Sequence, residues 1–257
     1  MTFYTTLHLH NVTPGREEEY ASWFDGRHRQ SLAQLRGLCA AERYQVAEAQ
    51  FMAAIPQPWS YLSVYDFDLE SPEIDLPALA PLLAEARDAG LILGDETERL
   101  YSFQLFSDWR ASPNIQPSLP FSGVSVLIGN ITPGRAAEYH KWYDELHGHE
   151  VSNVPGVVAI RRGELASTQL EPRRYCPGDQ LAMMALQSDN VKLTTKDFID
   201  RALGRSPSRI AMEPRSSAAS TARTIHLFTK ISGREFWPGG IAYAGDLSVY
   251  PGYEDQH

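Results

Sequence analysis

The sequence has few of the residues that mark disulfide-stapled, zinc-binding or membrane-spanning proteins. Only two of its 257 residues are cysteines, Cys39 and Cys176, and neither lies in a C-x-x-C pair or a Cys/His pattern with zinc spacing. No run of about 18 apolar residues occurs, and the N-terminus lacks a basic segment followed by an apolar core. We therefore expect a soluble, cytoplasmic protein with no membrane partner and no disulfide framework.

Positive charge is also scarce, since 23 basic residues face 32 acidic ones and the net charge is -9. Binding to a phosphate backbone needs a concentrated basic face, so nucleic acid is not an expected partner. The motifs G-x-G-x-x-G, G-x-S-x-G and H-E-x-x-H and the Walker loop are absent. Nucleotide-binding, serine hydrolase and zincin interpretations thus lack support, and no organic cofactor or metal is expected.

The chain does contain a long internal repeat. The pattern N-[VI]-T-P-G-R-x-x-E-Y-x-x-W-[FY]-D-x-x-H covers residues 11–28 and returns without a gap 119 positions later, at 130–147. A repeat of this period indicates one supersecondary unit used twice. We predict a first unit over residues 1–113, a second over 121–232, and an irregular aromatic-rich tail over 233–257, with a proline-rich linker at 111–120.

Each unit has the predicted element order β-α-β-β-α-β. Hydrophobic alternation favours strands near 3–10, 40–46, 61–67 and 100–106, and their counterparts near 123–129, 157–163, 181–186 and 224–230. Thr13-Pro14 and Thr132-Pro133 are typical of a helix start. This order is the ferredoxin-like split βαβ, an α+β fold. Its two sheets are expected to face each other as an intrachain barrel that encloses a cavity between the halves.

The repeated helix carries candidate catalytic residues. His28 and His147 fall on a stripe with apolar residues at steps of four, so both imidazoles are expected on the buried side, where they could transfer protons near neutral pH. Asp25 and Asp144, three residues earlier, could hold each ring in one tautomer. His147 is favoured because residues 144–150 contain three carboxylates and two imidazoles. The alternative is a core histidine bound to a backbone carbonyl.

Strand residues supply candidates for substrate binding. His8 and His10 share one face of the first strand, opposite Leu7 and Leu9, and are expected to point into the cavity while the leucines pack on the helices. A solvent-facing pair and a chelate for a first-row metal remain alternatives. The other candidates are Tyr4, Tyr65, Tyr101 and His226. Arginines within 204–215 could bind a carboxylate, or belong to a solvated loop.

The segment Trp142-Tyr-Asp-Glu-Leu-His147, followed by Val154-Pro155-Gly156, resembles the EthD-like branch of the dimeric α+β barrel superfamily. Trp23-Phe-Asp-Gly-Arg-His28 repeats the pattern, but Arg36 replaces the proline before Gly37. The resemblance is to a tandem duplication in one chain. It implies a barrel with a buried cavity and a helix-borne histidine that acts as acid or base. The superfamily includes cofactor-free monooxygenases, dehydratases, isomerases and haem enzymes.

These observations lead to a functional hypothesis. We expect an organic-cofactor-independent lyase (dehydratase) or isomerase that acts on a small apolar, aromatic or polyketide-like molecule through histidine acid-base chemistry. The alternatives are a cofactor-free monooxygenase, a non-catalytic ligand-binding or stress-associated barrel, and a haem-handling member. The chain could be a monomer with an intrachain pseudo-dimer, or a homodimer.

Overall fold

The computed structural model describes residues 2–94, 97–106, 109–112, 114–116, 121–171, 176–205, 210–231 and 235–236. The strands are β1 (Thr2–His10), β2 (Leu38–Val46), β3 (Tyr61–Leu69), β4 (Arg99–Leu105), β5 (Arg110–Ala111), β6 (Gly123–Ile131), β7 (Val157–Leu165), β8 (Gln180–Leu186), β9 (Ala219–Lys230) and β10 (Glu235–Phe236). The α-helices are α1 (Glu17–Trp23), α2 (Arg29–Leu32), α3 (Pro72–Asp75), α4 (Leu79–Asp88), α5 (Ala136–Trp142), α6 (Gly148–Ser152) and α7 (Val191–Ala202). No helix in this part of the chain is long and apolar enough to cross a bilayer.

Eight strands close into an antiparallel barrel. Their order is β2-β3-β1-β4-β7-β8-β6-β9, and β9 pairs back onto β2. We call 2–105 the first half and 123–231 the second half. The halves join edge to edge, through β4 with β7 and β2 with β9, whereas the sequence predicted two sheets facing each other. Pairing both free edges satisfies backbone groups that an open sheet would leave exposed.

The barrel interior is packed with apolar side chains from both halves. Leu7 and Leu9 of β1 lie in one cluster with Val126 of β6 and Met183 of β8. The helices lie outside the barrel, where Tyr20 and other helical residues pack on the opposite faces of the strands. The prediction that Leu7 and Leu9 contact the helices was therefore wrong. Both faces of β1 are buried, so hydrophobicity alone did not distinguish inside from outside.

The repeated helix begins three residues later than predicted. Pro14 and Gly15 form a turn, closed by a hydrogen bond from the Arg16 N–H to the Thr13 carbonyl at 3.0 Å. Gly15 has a φ of 82°, a left-handed conformation that favours glycine. The helix then begins at Glu17, where three consecutive glutamates favour the positive end of the helix dipole.

The predicted linker and tail are only partly described. Ala111, in the predicted linker, belongs to β5 and pairs with Ala159 of β7. Within the tail 233–257 the structure describes Glu235 and Phe236, which pair with β2, and the other tail residues lie outside the described ranges.

Candidate functional site

A π-helical segment shapes the repeated motif in each half. Phe24–His28 and Tyr143–His147 each form one wide turn between two α-helical stretches. Residues five apart diverge by about 140° in a regular α-helix, but a π turn brings them onto the same side. His28 consequently stacks on Trp23 with ring centroids 4.3 Å apart, and His147 stacks on Trp142 at 4.5 Å. The motif W-x-x-x-x-H therefore encodes an indole-imidazole stack.

The aspartates of the motif do not contact the histidines. Asp25 accepts a hydrogen bond from Arg43 of β2 at 2.9 Å, and Asp144 binds the equivalent Arg162 of β7. Asp144 also lies 3.3 Å from Arg110. The prediction that each aspartate orients its imidazole was wrong, because the aspartate lies on the helix flank that faces the neighbouring strand.

In the first half the imidazole is sealed. His28 has no exposed surface, and its Nε2 lies 3.0 Å from the hydroxyl of Tyr65. Its Nδ1 has no hydrogen-bond partner among the described residues. Burial, with a smaller contribution from His8, lowers the pKa of His28 to about 3. His28 is therefore a neutral, inaccessible ring at physiological pH.

His8 and His10 line the same sealed space. His8 Nε2 lies 2.7 Å from Glu98 Oε1, and the His10 ring lies 5.3 Å from the ring of Tyr20 on α1. Both histidines thus face the helices, not the barrel interior as predicted. Their rings stack at 4.3 Å, and the described residues contain no group of three or more His, Cys, Asp or Glu that could hold a metal. The chelate alternative gains no support from this geometry.

The remaining predicted residues are not brought together. Tyr4 and Tyr65 lie on the helix side of the first half. Tyr101 lies inside the barrel. His226, which pairs with Val126, also faces the interior, where its Nδ1 is 2.6 Å from Gln57 Oε1. The predicted set therefore occupies separate compartments of the fold.

The second half has different side chains at the positions that seal the first, and the main loss of bulk is at Gly129. Leu127 and Gly129 of β6 stand where β1 has His8 and His10, and Ala182 of β8 stands where β3 has Ser63. A narrow cleft of about 40 Å³ lies here between the sheet and α5, bordered by His147 and Trp142. The side chain of His147 is 23% exposed, in contrast to that of His28.

Glu150 is the carboxylate nearest to His147. Its Oε2 lies 3.6 Å from Nδ1 of His147, an ion-pair distance longer than a hydrogen bond, and its Oε1 accepts the backbone N–H of Glu213. Burial opposes ionisation of Glu150, but the interactions with His147 and with that N–H outweigh burial and lower its pKa. The sequence showed an acidic segment here, but it did not single out Glu150.

Some members of the superfamily that the sequence resembles bind haem. The described residues do not fit this group. His28 is sealed, and the cleft beside His147 is far smaller than a macrocycle. No step below involves haem.

Comparison with known proteins supports the fold. No family model and no curated protein matches the chain. Solved structures do match. A dye-decolorizing peroxidase from Bacteroides thetaiotaomicron has a TM-score of 0.53 at 12% identity, covering 88% of this chain and 92% of that one.

Two further structures cover almost the whole chain. An anthrone oxidase-like protein has a TM-score of 0.52 at 12% identity, covering 95% of this chain and 96% of the other. A candidate monooxygenase of Fusobacterium nucleatum has a TM-score of 0.50 at 11% identity, covering 94% and 97%. At such low identity the likeness concerns the fold alone. The chain therefore has a ferredoxin-like α+β barrel fold.

Proposed function

We propose that the protein is an acid-base enzyme, a lyase or isomerase, in which His147 transfers a proton to and from a small apolar or aromatic molecule whose reacting part enters the second-half cleft while the rest lies on the adjoining surface. One observation carries this proposal: the same helix motif presents a sealed imidazole in the first half and an accessible one in the second. A general base must reach the proton that it abstracts, and among the two only His147 can.

The surroundings of His147 suit this chemistry. Trp142 stacks on one face of the ring, with planes only 11° apart, and fixes its orientation. When Nε2 takes a proton from a carbon next to a carbonyl, the Glu150 carboxylate at 3.6 Å stabilises the imidazolium that forms. Return of that proton to another carbon completes an isomerisation, and its transfer to a leaving hydroxyl completes a dehydration.

The first half would then serve as scaffold. We propose that the two halves arose by duplication of one unit, since α1 and α5, the π segments, and β2 and β7 all keep the offset of 119 residues. In the first half, His8 and His10 occupy the positions at which Leu127 and Gly129 border the cleft in the second half, and both are buried. The chemistry would thereby be confined to a single site per chain.

Proton exchange tests this proposal without knowledge of the natural substrate. The compound that co-purifies with the protein is identified by mass spectrometry, and it and 2-tetralone are incubated with enzyme in D₂O under anaerobic conditions. We expect enzyme-dependent deuterium incorporation that falls about 100-fold or more in His147→Asn. His149→Gln, an imidazole two residues away, is the matched control. Equal exchange by wild type and His147→Asn would refute the proposal.

A parallel measurement in air addresses the alternative of a cofactor-free monooxygenase. Oxygen consumption that depends on substrate and on His147 would place the same base in an oxidation, because a carbanion formed by proton abstraction can reduce dioxygen. Exchange without oxygen consumption favours the lyase or isomerase.

A further inference from the structure

Two arginines border the His147 cleft. Arg215 precedes β9 and Arg223 lies on it, and both line the cleft together with Trp142 and Tyr139. Arg215 donates a hydrogen bond to the carbonyl of Ser220. Arg223 donates a hydrogen bond to the sulfur of Met52, at 3.8 Å. Among the described contacts, neither guanidinium binds a carboxylate.

Other arginines near the helix motif do bind carboxylates. Arg43 and Arg162, which also approach the motif, each bind an aspartate. At the cleft two positive groups instead share one space. Burial, followed by the charge of Arg223, lowers the pKa of Arg215. Repulsion of this kind is relieved when an anion enters between the two groups, and guanidinium binds planar oxyanions with charge-assisted hydrogen bonds.

We infer that the cleft and the groove that adjoins it bind an anionic ligand, in which a carboxylate or enolate oxygen lies between Arg215 and Arg223 and an apolar ring lies at the mouth of the cleft, on the side of Trp142. This inference rests on the proposed function and names its substrate class. It also places positive charge where a carbanion formed by His147 would delocalise onto oxygen, so the arginines would stabilise the intermediate.

The surface beyond the cleft can hold the rest of such a molecule. A groove of about 680 Å³ runs along residues 130–133 and 215–221, and it shares Arg215 with the cleft. Its lining includes Thr132, Ser217 and Ser220, which supply hydroxyl groups. The ligand would therefore have its charge at Arg215, its reacting carbon near His147, and a polar extension in the groove.

Binding of benzoate and benzamide tests the inference, because the two probes have nearly the same shape and differ in charge. Affinities are measured by calorimetry at one fixed ionic strength with the full chain. We expect wild type to bind benzoate about tenfold more tightly than benzamide. Arg223→Met and Arg215→Met should each reduce this preference, and the double variant should abolish it. Arg36→Met, an exposed arginine of the first half, should retain it.

The results that would overturn the inference differ from those that would overturn the proposed function. Absence of benzoate binding by wild type, or an unchanged preference in the folded double variant, overturns the inference. If His147→Asn loses proton exchange while wild type shows no preference for benzoate, the inference fails and the proposed function stands. If the preference depends on the arginines while His147→Asn retains exchange, the anion site stands and the catalytic role of His147 fails. Circular dichroism confirms that each variant is folded.

Discussion

Asp144 binds the guanidinium of Arg162, and not the imidazole of His147. Arg162 in turn lies 4.2 Å from the ring centre of Tyr143, within cation-π distance. Asp25 and Arg43 repeat this arrangement, with Arg43 4.8 Å from the ring centre of Phe24. The repeated aspartate thus anchors the π segment to the neighbouring strand, and Glu150 is the carboxylate that we propose acts with His147.

This arrangement predicts different effects for the two carboxylates. Glu150→Gln should lower the rate of proton exchange by about 10-fold or more, because the imidazolium loses its negative neighbour. Asp144→Asn should change that rate by less than about threefold and act mainly on stability, since Asp144 binds the buried guanidinium of Arg162 and not His147. Rates and thermal unfolding of both variants are compared. An Asp144→Asn enzyme that is slower than Glu150→Gln would contradict this assignment.

The sequence predicted the order of strands and helices and the helix that carries each histidine, because repeat spacing and periodicity report local structure directly. It did not predict which face of β1 is inside. Alternation shows that His8 and His10 share a face, but in a barrel covered by helices both faces are buried. The cleft could not be predicted from the sequence either, because Leu127, His147 and Arg223 come together only through tertiary packing.

A buried ion pair holds the two halves together inside the barrel. Arg161 of β7 donates to Asp66 of β3 at 2.9 Å, and both residues are at most 7% exposed. Arg161→Met should reduce the free energy of unfolding by about 3–5 kcal/mol, because it removes the guanidinium from a buried carboxylate. Adding Asp66→Asn should cost less than the sum of the single changes. Strict additivity in the double-mutant cycle, measured by urea unfolding, would argue against the pair.

Gly163 lies where the halves meet at the β4–β7 joint. A Cβ at this position would approach the carbonyl oxygen of Gln104 to 2.4 Å, so a side chain cannot fit without moving the strands apart. Gly163→Ala should destabilise the protein by about 1–3 kcal/mol. Gly26→Ala, where a Cβ meets nothing within 4 Å, is the matched control and should be neutral or slightly stabilising. Equal unfolding midpoints for the two variants would show that the joint tolerates the extra carbon.

Stability should decrease as the pH falls below about 6.5. Burial lowers the pKa of His8 and His28 to about 3 and that of His226 to about 4, so the unfolded chain binds more protons than the folded one below the ordinary histidine pKa. Each imidazole contributes a slope of about 1.4 kcal/mol per pH unit. Urea unfolding between pH 7.5 and 5 measures this slope.

A variant isolates one contribution to that slope. His226→Gln keeps a hydrogen-bonding side chain beside Gln57 and should make the pH dependence shallower. A wild-type protein equally stable at pH 7.5 and 5 would show that these imidazoles are not held neutral by burial.

The central claim is that the accessible His147, and not the sealed His28, carries the chemistry. Limited reaction with diethyl pyrocarbonate tests this claim most directly. The modification of each histidine is measured by peptide mass spectrometry and compared with the remaining rate of proton exchange. We predict that His147 is modified much faster than His28 and that activity disappears in proportion to modification of His147, also in the His149→Gln background. Full activity in protein whose His147 is completely modified, or activity that follows modification of His28, would contradict the account.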